Sequence, residues 1–141
     1  MFLGKYTHTV DDKGRLTLPA SFYGPLAAGL VITRGFERNL MLFPMRVWQT
    51  VADRAADGRL TDQTMRAFRR HFFANAVNVT PDRQRRISLT PPLLNYAGLA
   101  GEAVIVGLYN YLEVWSKEAW QTTRQEIEDN NLAERWETLG V

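Results

Sequence analysis

The chain has 141 residues, 45% hydrophobic and 23% charged, with no cysteine and a formal charge of +2. That is enough for one compact domain or two small intertwined halves. It excludes disulfides and thiolate metal sites, so a reducing compartment is expected. Met1-Phe2-Leu3-Gly4-Lys5 does not read as a secretory leader, and no apolar run approaches the ~20 residues of a membrane span. A cytoplasmic protein that makes no membrane contact is therefore expected. Charge is unevenly spread. Between Thr64 and Arg86 six arginines (Arg66, Arg69, Arg70, Arg83, Arg85, Arg86) face one acid, Asp82, whereas Lys117 to Glu137 holds six acids and three bases. Such asymmetry is what electrostatic steering needs.

Residues 2–10 read as a strand. Asp11-Asp12-Lys13-Gly14-Arg15 follows as a tip, with Gly14 where a tight turn needs positive φ. Leu16-Thr17-Leu18 resumes the strand, and Pro19 ends it and opens a short helix. Leu30–Thr33 and Leu40–Phe43 are strand patterns joined by the turn Gly35–Asn39. Helices are expected near 45–57, with Trp48, Val51, Ala52 and Ala55 as its apolar stripe, and from Asp62 to about Asn75, capped by Thr61 or Asp62. On the second, Met65, Phe68 and Phe72 share one face and Arg66, Arg69 and Arg70 fall on the other. These arginines form a solvated face or touch DNA. A second hairpin is expected from about 76 to 89, with Asp82-Arg83-Gln84-Arg85-Arg86 at its tip. After Pro91-Pro92 come a short helix ended by Gly98 and strands at 103–106 and 111–115. The last helix is capped by Ser116 and anchored by Trp120, Ile127 and Trp136.

The two tips are a repeat. Asp11 and Arg15 recur as Asp82 and Arg86, both 71 residues on. Pro19/Pro91, Gly29/Gly101, Gly35/Gly107, Leu40/Leu112, Phe43/Trp115 and Trp48/Trp120 continue it at 72. This order of Asp, Arg, Pro, Gly and Trp matches implies an internal duplication. Its two units can pair about a pseudo-two-fold axis into one barrel, with both tips on the same side. The expected organisation is a first repeat over 5–50, a connecting helical segment over 51–75, a second repeat over 76–120 and a C-terminal helix over 121–141.

The residues Asp11-Asp12-Lys13-Gly14-Arg15-Leu16-Thr17-Leu18-Pro19-Ala20, Thr33-Arg34-Gly35, Phe68-Arg69-Arg70-His71-Phe72-Phe73-Ala74, Tyr96-Ala97-Gly98-Leu99 and Trp115 together resemble the MraZ family, over nearly the whole chain. The resemblance implies two tandem SpoVT–AbrB-type domains. The fold it implies is α+β, mainly β: a duplicated AbrB-like barrel of the double-psi or swapped-hairpin type, with peripheral helices. It also implies a sequence-specific DNA-binding transcriptional regulator, read as a repressor, of the division and cell-wall gene cluster and of its own promoter. The partners implied are double-stranded DNA carrying repeated short boxes and further copies of the chain in a ring-shaped homo-oligomer. A nucleoid-associated location follows. On the family's Asp-x-x-x-Arg motif, Arg15 and Arg86 are the leading base or phosphate contacts and Lys13 a phosphate contact. Asp11, Gly14, Asp82, Arg83 and Arg85 complete the DNA-binding set. The second copy departs in two ways. Arg85 stands where the family has Gly, which implies a strained or wider loop, and Thr90 displaces the expected Pro by one.

The chemistry suits that reading. A hairpin fits the ~12 Å major groove, and arginine pairs bidentately with guanine O6 and N7. An Asp four residues earlier fixes the Arg rotamer by a charge-assisted hydrogen bond. The plain alternative is that Asp11–Arg15 and Asp82–Arg86 only close their loops as exposed ion pairs, worth ~0–1 kcal/mol each. A second alternative is an oligomeric interaction or scaffold protein without specific DNA readout, in which Trp48, Trp120, Phe72 and Phe73 serve an interface rather than a core. An enzyme is not expected. His8 and His71 are the only histidines, the adjacent Asp11 and Asp12 point apart on a strand, and no phosphate-binding Gly-rich loop is present. No cofactor, metal or small-molecule substrate is expected.

Overall fold

The computed structural model describes residues 1–130 and 132–141. In chain order the elements are β1 (Phe2–Val10), β2 (Arg15–Thr17), α1 (Ala20–Leu26), β3 (Leu30–Arg34), β4 (Leu40–Pro44), α2 (Met45–Ala56), α3 (Gln63–Phe72), β5 (Val77–Val79), β6 (Arg86–Ser88), α4 (Pro91–Ala97), β7 (Gly101–Tyr109), β8 (Leu112–Ser116), α5 (Lys117–Asp129) and α6 (Ala133–Trp136). The eight strands form one antiparallel sheet in the order β5-β3-β4-β8-β7-β1-β2-β6, curled into a nearly closed barrel. The fold is α+β and mainly strand. No helix of the described residues is long and apolar enough to cross a membrane.

Alternation builds the core. Leu16, Leu18, Leu30, Ile32, Leu40 and Leu42 from the first repeat meet Ile87, Leu89, Ala103, Ile105, Leu112 and Val114 from the second, all buried in one cluster. Every second residue of a strand faces one side, and each buried Leu, Ile or Val contributes about 1.5–3 kcal/mol. Phe22 and Leu26 of α1 and Leu93 and Ala97 of α4 join the same cluster. Outside it, α2 and α3 lie over β3 and β4. Phe72 is buried and packs its ring against Phe43, Trp48, Phe68 and Phe36. Across the barrel, Trp120 meets Trp115 at 5.8 Å, the counterpart of Trp48 on Phe43 at 5.7 Å.

The strand registers reveal the duplication. In the β2·β6 ladder Arg15 lies opposite Ser88, Leu16 opposite Ile87 and Thr17 opposite Arg86. A shift of 71 (87 − 16, 86 − 15, 88 − 17) turns this ladder into itself, so a pseudo-two-fold axis passes between Leu16 and Ile87. In β4·β8 a shift of 72 (112 − 40, 114 − 42) does the same, and the axis leaves between Met41 and Glu113. In β3 and β7 the shift is 73: Ile32 faces Leu42 whereas Ile105 faces Val114, its mate (105 − 32). Gly107 is therefore the counterpart of Arg34, not of Gly35. The second copy gains a residue before β7 and loses one in the following turn.

Three further expectations are corrected. The hairpins do not pair as hairpins. β1 meets β2 only at Val10↔Leu16, and β5 pairs with β3 rather than with β6. Three-residue strands hold too little ladder to stand alone, so β2 and β6 find each other across the repeats. Arg66 and Arg69 do not form a simply solvated face. Arg66 Nη1 donates to the Leu60 carbonyl at 2.8 Å and Arg69 Nη2 to those of Gly58, at 3.0 Å, and Ala56, closing the end of α2. Ile127 and Trp136 are exposed, so Trp120 alone of the three expected anchors is packed. The caps on α3 and α5 are as expected: Asp62 accepts the Thr64 N–H at 2.9 Å, and Ser116 accepts that of Ala119 at 3.1 Å.

Candidate nucleic-acid interface

Each tip is a five-residue loop closed by its aspartate. In the first, the Asp11 N–H donates to the Arg15 carbonyl at 2.9 Å and the Gly14 N–H to the Asp11 carbonyl at 3.0 Å. In the second, the Asp82 N–H donates to the Arg86 carbonyl at 3.0 Å and the Arg85 N–H to the Asp82 carbonyl at 3.0 Å. One carboxylate oxygen then holds the loop. Asp11 Oδ1 accepts the Lys13 and Arg15 N–H groups at 3.0 and 2.8 Å, and Asp82 Oδ1 those of Gln84 and Arg86 at 2.8 and 2.9 Å. The other oxygen holds the arginine: Arg15 Nε reaches Asp11 Oδ2 at 2.7 Å and Arg86 Nε reaches Asp82 Oδ2 at 2.8 Å.

Both aspartates therefore titrate below the ordinary carboxylate range. The backbone N–H of Arg15 or Arg86 is the chief cause, opposed by desolvation and helped by the guanidinium and the second backbone N–H. The aspartate does two jobs, and they act together: it sets the loop and it fixes the direction of the guanidinium. Only Nε is engaged, and neither arginine's Nη groups has a partner among the described residues.

The two arginines share a face. Leu16 and Ile87 point into the core, so Arg15, Thr17, Arg86 and Ser88, one position to either side, point out. Arg15 lies opposite Ser88, two residues from Arg86. Diagonal neighbours of this kind sit about 7–8 Å apart. Two aspartate-oriented arginines thus lie on one ladder, related by the pseudo-two-fold axis. Thr17 and Ser88 complete the face and were not among the expected site residues. Their signal is a hydroxyl residue recurring at the same spacing of 71 (88 − 17).

Of the other expected residues, Lys13 and Arg83 are exposed at the loop ends, and Gly14 is buried with φ 76°. A Cβ there would lie 3.0 Å from Leu94 Cδ1 and 3.1 Å from the Leu89 carbonyl oxygen. Arg85 takes the same left-handed conformation with φ 63°. The second loop is thus strained but not widened. Its strain is held from across the barrel: the Leu18 N–H donates to the Arg85 carbonyl at 2.7 Å, as Leu89 N–H does to the Gly14 carbonyl at 2.9 Å. The Arg85 side chain also turns inward, Nε donating to the Leu18 carbonyl at 3.3 Å. It is a brace for the second loop rather than an outward fork. Among the described residues no group of three or more His, Cys, Asp or Glu is placed to hold a metal.

The chain is thus a duplicated strand barrel with two acid-oriented arginines on one outer face. Comparison with known proteins gives it a family. The model described as "MraZ protein, putative antitoxin-like" matches residues 1–71 and again 72–140. The chain is 46% identical over 143 residues to "Transcriptional regulator MraZ" of Herpetosiphon aurantiacus, covering 100% of both chains. It is 45% identical over 141 residues to the protein of that name in Thermomicrobium roseum, covering 99% of each. For Saccharopolyspora erythraea the identity is 42% over 139 residues, covering 99% of this chain and 97% of the relative. The chain belongs to the MraZ family, whose named role is regulatory and not enzymatic.

Proposed function

We propose that this chain is a sequence-specific DNA-binding regulator of transcription that reads its site through Arg15 and Arg86. The observation that carries the reading is the pair of arginines on one outer ladder, each guanidinium aimed by its own aspartate, with the Nη groups left for a ligand. An Nη pair matches guanine O6 and N7 in the major groove. Fixing the side chain beforehand reduces the rotamer entropy lost on binding, up to ~2 kcal/mol for arginine. Lys13 and Arg83 add phosphate contacts at the loop ends, while Asp11, Gly14, Asp82 and Arg85 set the loops. Functionally the chain divides into repeats over 5–50 and 76–120, the helical connection 51–75 and the C-terminal helix 121–141.

The finer reading follows the family resemblance: a repressor of the division and cell-wall gene cluster, its own promoter included, acting in the cytoplasm at the nucleoid. One chain presents two short loops and few phosphate contacts, which gives modest affinity. A ring of copies on repeated boxes raises it by avidity. Exposed Leu3, Tyr6, Leu108 and Tyr109 on β1 and β7 supply apolar surface for such assembly.

The test is an anisotropy titration against the DNA upstream of the protein's own gene, at two salt concentrations. Wild type binds specifically and salt-sensitively, and Arg15→Ala/Arg86→Ala loses specific binding with its oligomer intact. Equal binding by the two proteins, or none by either, favours the scaffold role.

A further inference from the structure

A second pair of arginines lies away from the tips. Arg34, at the end of β3, and Arg38, in the turn after it, both lie over the ring of Tyr96, with Cζ at 4.7 and 5.0 Å from its centroid. The ring is fixed on both sides. Its hydroxyl donates to the Gly35 carbonyl at 3.0 Å and accepts the Arg38 N–H at 3.3 Å. His71 packs edge-on against it at 5.6 Å, and its Nε2–H donates to the same Gly35 carbonyl at 2.6 Å.

Among the described residues neither guanidinium is ion-paired to a carboxylate. Glu37 lies between them in sequence and, among the described residues, forms no ion pair with either. Arg34 Nε is buried without a hydrogen-bond partner, and buried donors of this kind ordinarily have one. Nor does the turn require arginine. Its counterpart in the second repeat, the end of β7 and the turn into β8 over Leu108-Tyr109-Asn110-Tyr111, holds no charged residue.

We propose that Arg34 and Arg38, mounted on Tyr96, form a phosphate-binding site distinct from the two tips, and that its ligand is a backbone phosphate of the bound DNA. Guanidinium forks match phosphate oxygens bidentately through their Nη groups. The source of the phosphate rests on the DNA reading. One helix links the site to a tip: Leu94 of α4 lies against Gly14, and Tyr96, two residues on, carries the arginines. The ladders put the site at the first tip's end of the barrel: Arg34 lies opposite Leu40, Leu40 opposite Val114, Ser116 opposite Ala103, and Gly101 opposite Val10, which leads into the tip. A free phosphorylated compound has the same chemistry, and the test separates the two.

Wild type, Arg34→Gln and Arg38→Gln are titrated with inorganic pyrophosphate by NMR and with promoter and unrelated DNA by anisotropy. Arg38 is exposed, so Arg38→Gln keeps the test valid if Arg34→Gln folds poorly. The expected result is that each substitution weakens both DNAs alike, about 10-fold, and lowers the salt slope by about 1. Weakened pyrophosphate binding with unchanged DNA binding assigns the site to a free phosphate compound. Unchanged binding in both titrations overturns the site. If wild type binds no DNA, the functional reading fails and the pyrophosphate titration alone decides the site.

Discussion

The loops 11–15 and 82–86 close with the same hydrogen bonds and do so from different residues. The first solves its left-handed position with Gly14, the residue that takes positive φ without a Cβ clash. The second puts Arg85 there and holds it with two bonds to Leu18, one to its backbone carbonyl and one from its own Nε. Charge differs too. Asp11 and Asp12 balance Lys13 and Arg15, whereas Asp82 faces Arg83, Arg85 and Arg86, leaving 0 on one loop and 3 − 1 = +2 on the other. What is constant is the aspartate, the arginine and the ladder that carries both copies. The backbone solution and the surrounding charge have diverged, so these are the parts the common geometry does not require.

The largest effect expected is on recognition. Arg15→Ala and Arg86→Ala singly are each expected to weaken specific DNA binding about 10- to 100-fold, as for loss of one bidentate base contact. Equal losses in anisotropy make the loops equivalent readers, and unequal losses assign the dominant one.

Next comes the left-handed position. Gly14→Ala places a Cβ at positive φ and 3.1 Å from a carbonyl oxygen, and is expected to cost about 1–2 kcal/mol in urea unfolding. Arg85→Gly relieves comparable strain while losing the Leu18 bond. It is expected to shift stability by less than about 1 kcal/mol. If Arg85→Gly destabilises as much as Gly14→Ala, the brace outweighs the strain.

The smallest effect is titration. Asp11 and Asp82 are depressed in the folded chain, so their contribution is complete above the ordinary aspartate value of ~3.9. It is lost as pH falls through the lower folded value. Carboxyl NMR should show both titrating below the ordinary value, and Arg15→Ala should move Asp11 upward without moving Asp82.

Much of this was legible in residues. Alternation around Leu16, Leu30, Leu40 and their counterparts announced the strands, and the recurrence of Asp, Arg and Trp announced the duplication. Asp11 and Arg15 were readable as a unit because their interaction is local. Partner choice was not readable, since Leu16-Thr17-Leu18 looks the same whether it pairs with β1 or with β6. The left-handed Arg85 was hidden for a similar reason: its conformation is imposed by Leu18, 67 residues earlier. The roles of Arg66 and Arg69 depended on where α2 would end, which sequence periodicity places only to within a few residues.

The interlocking of the repeats also has a cost in time. β1 forms its full nine-residue ladder with β7, whose first residue is made 91 residues after Val10 (101 − 10). At about 5–20 residues per second, synthesis leaves β1 without that partner for roughly 5–20 s. During that interval the nascent first half carries an unpaired strand edge, and only emergence of the second half allows the barrel to close.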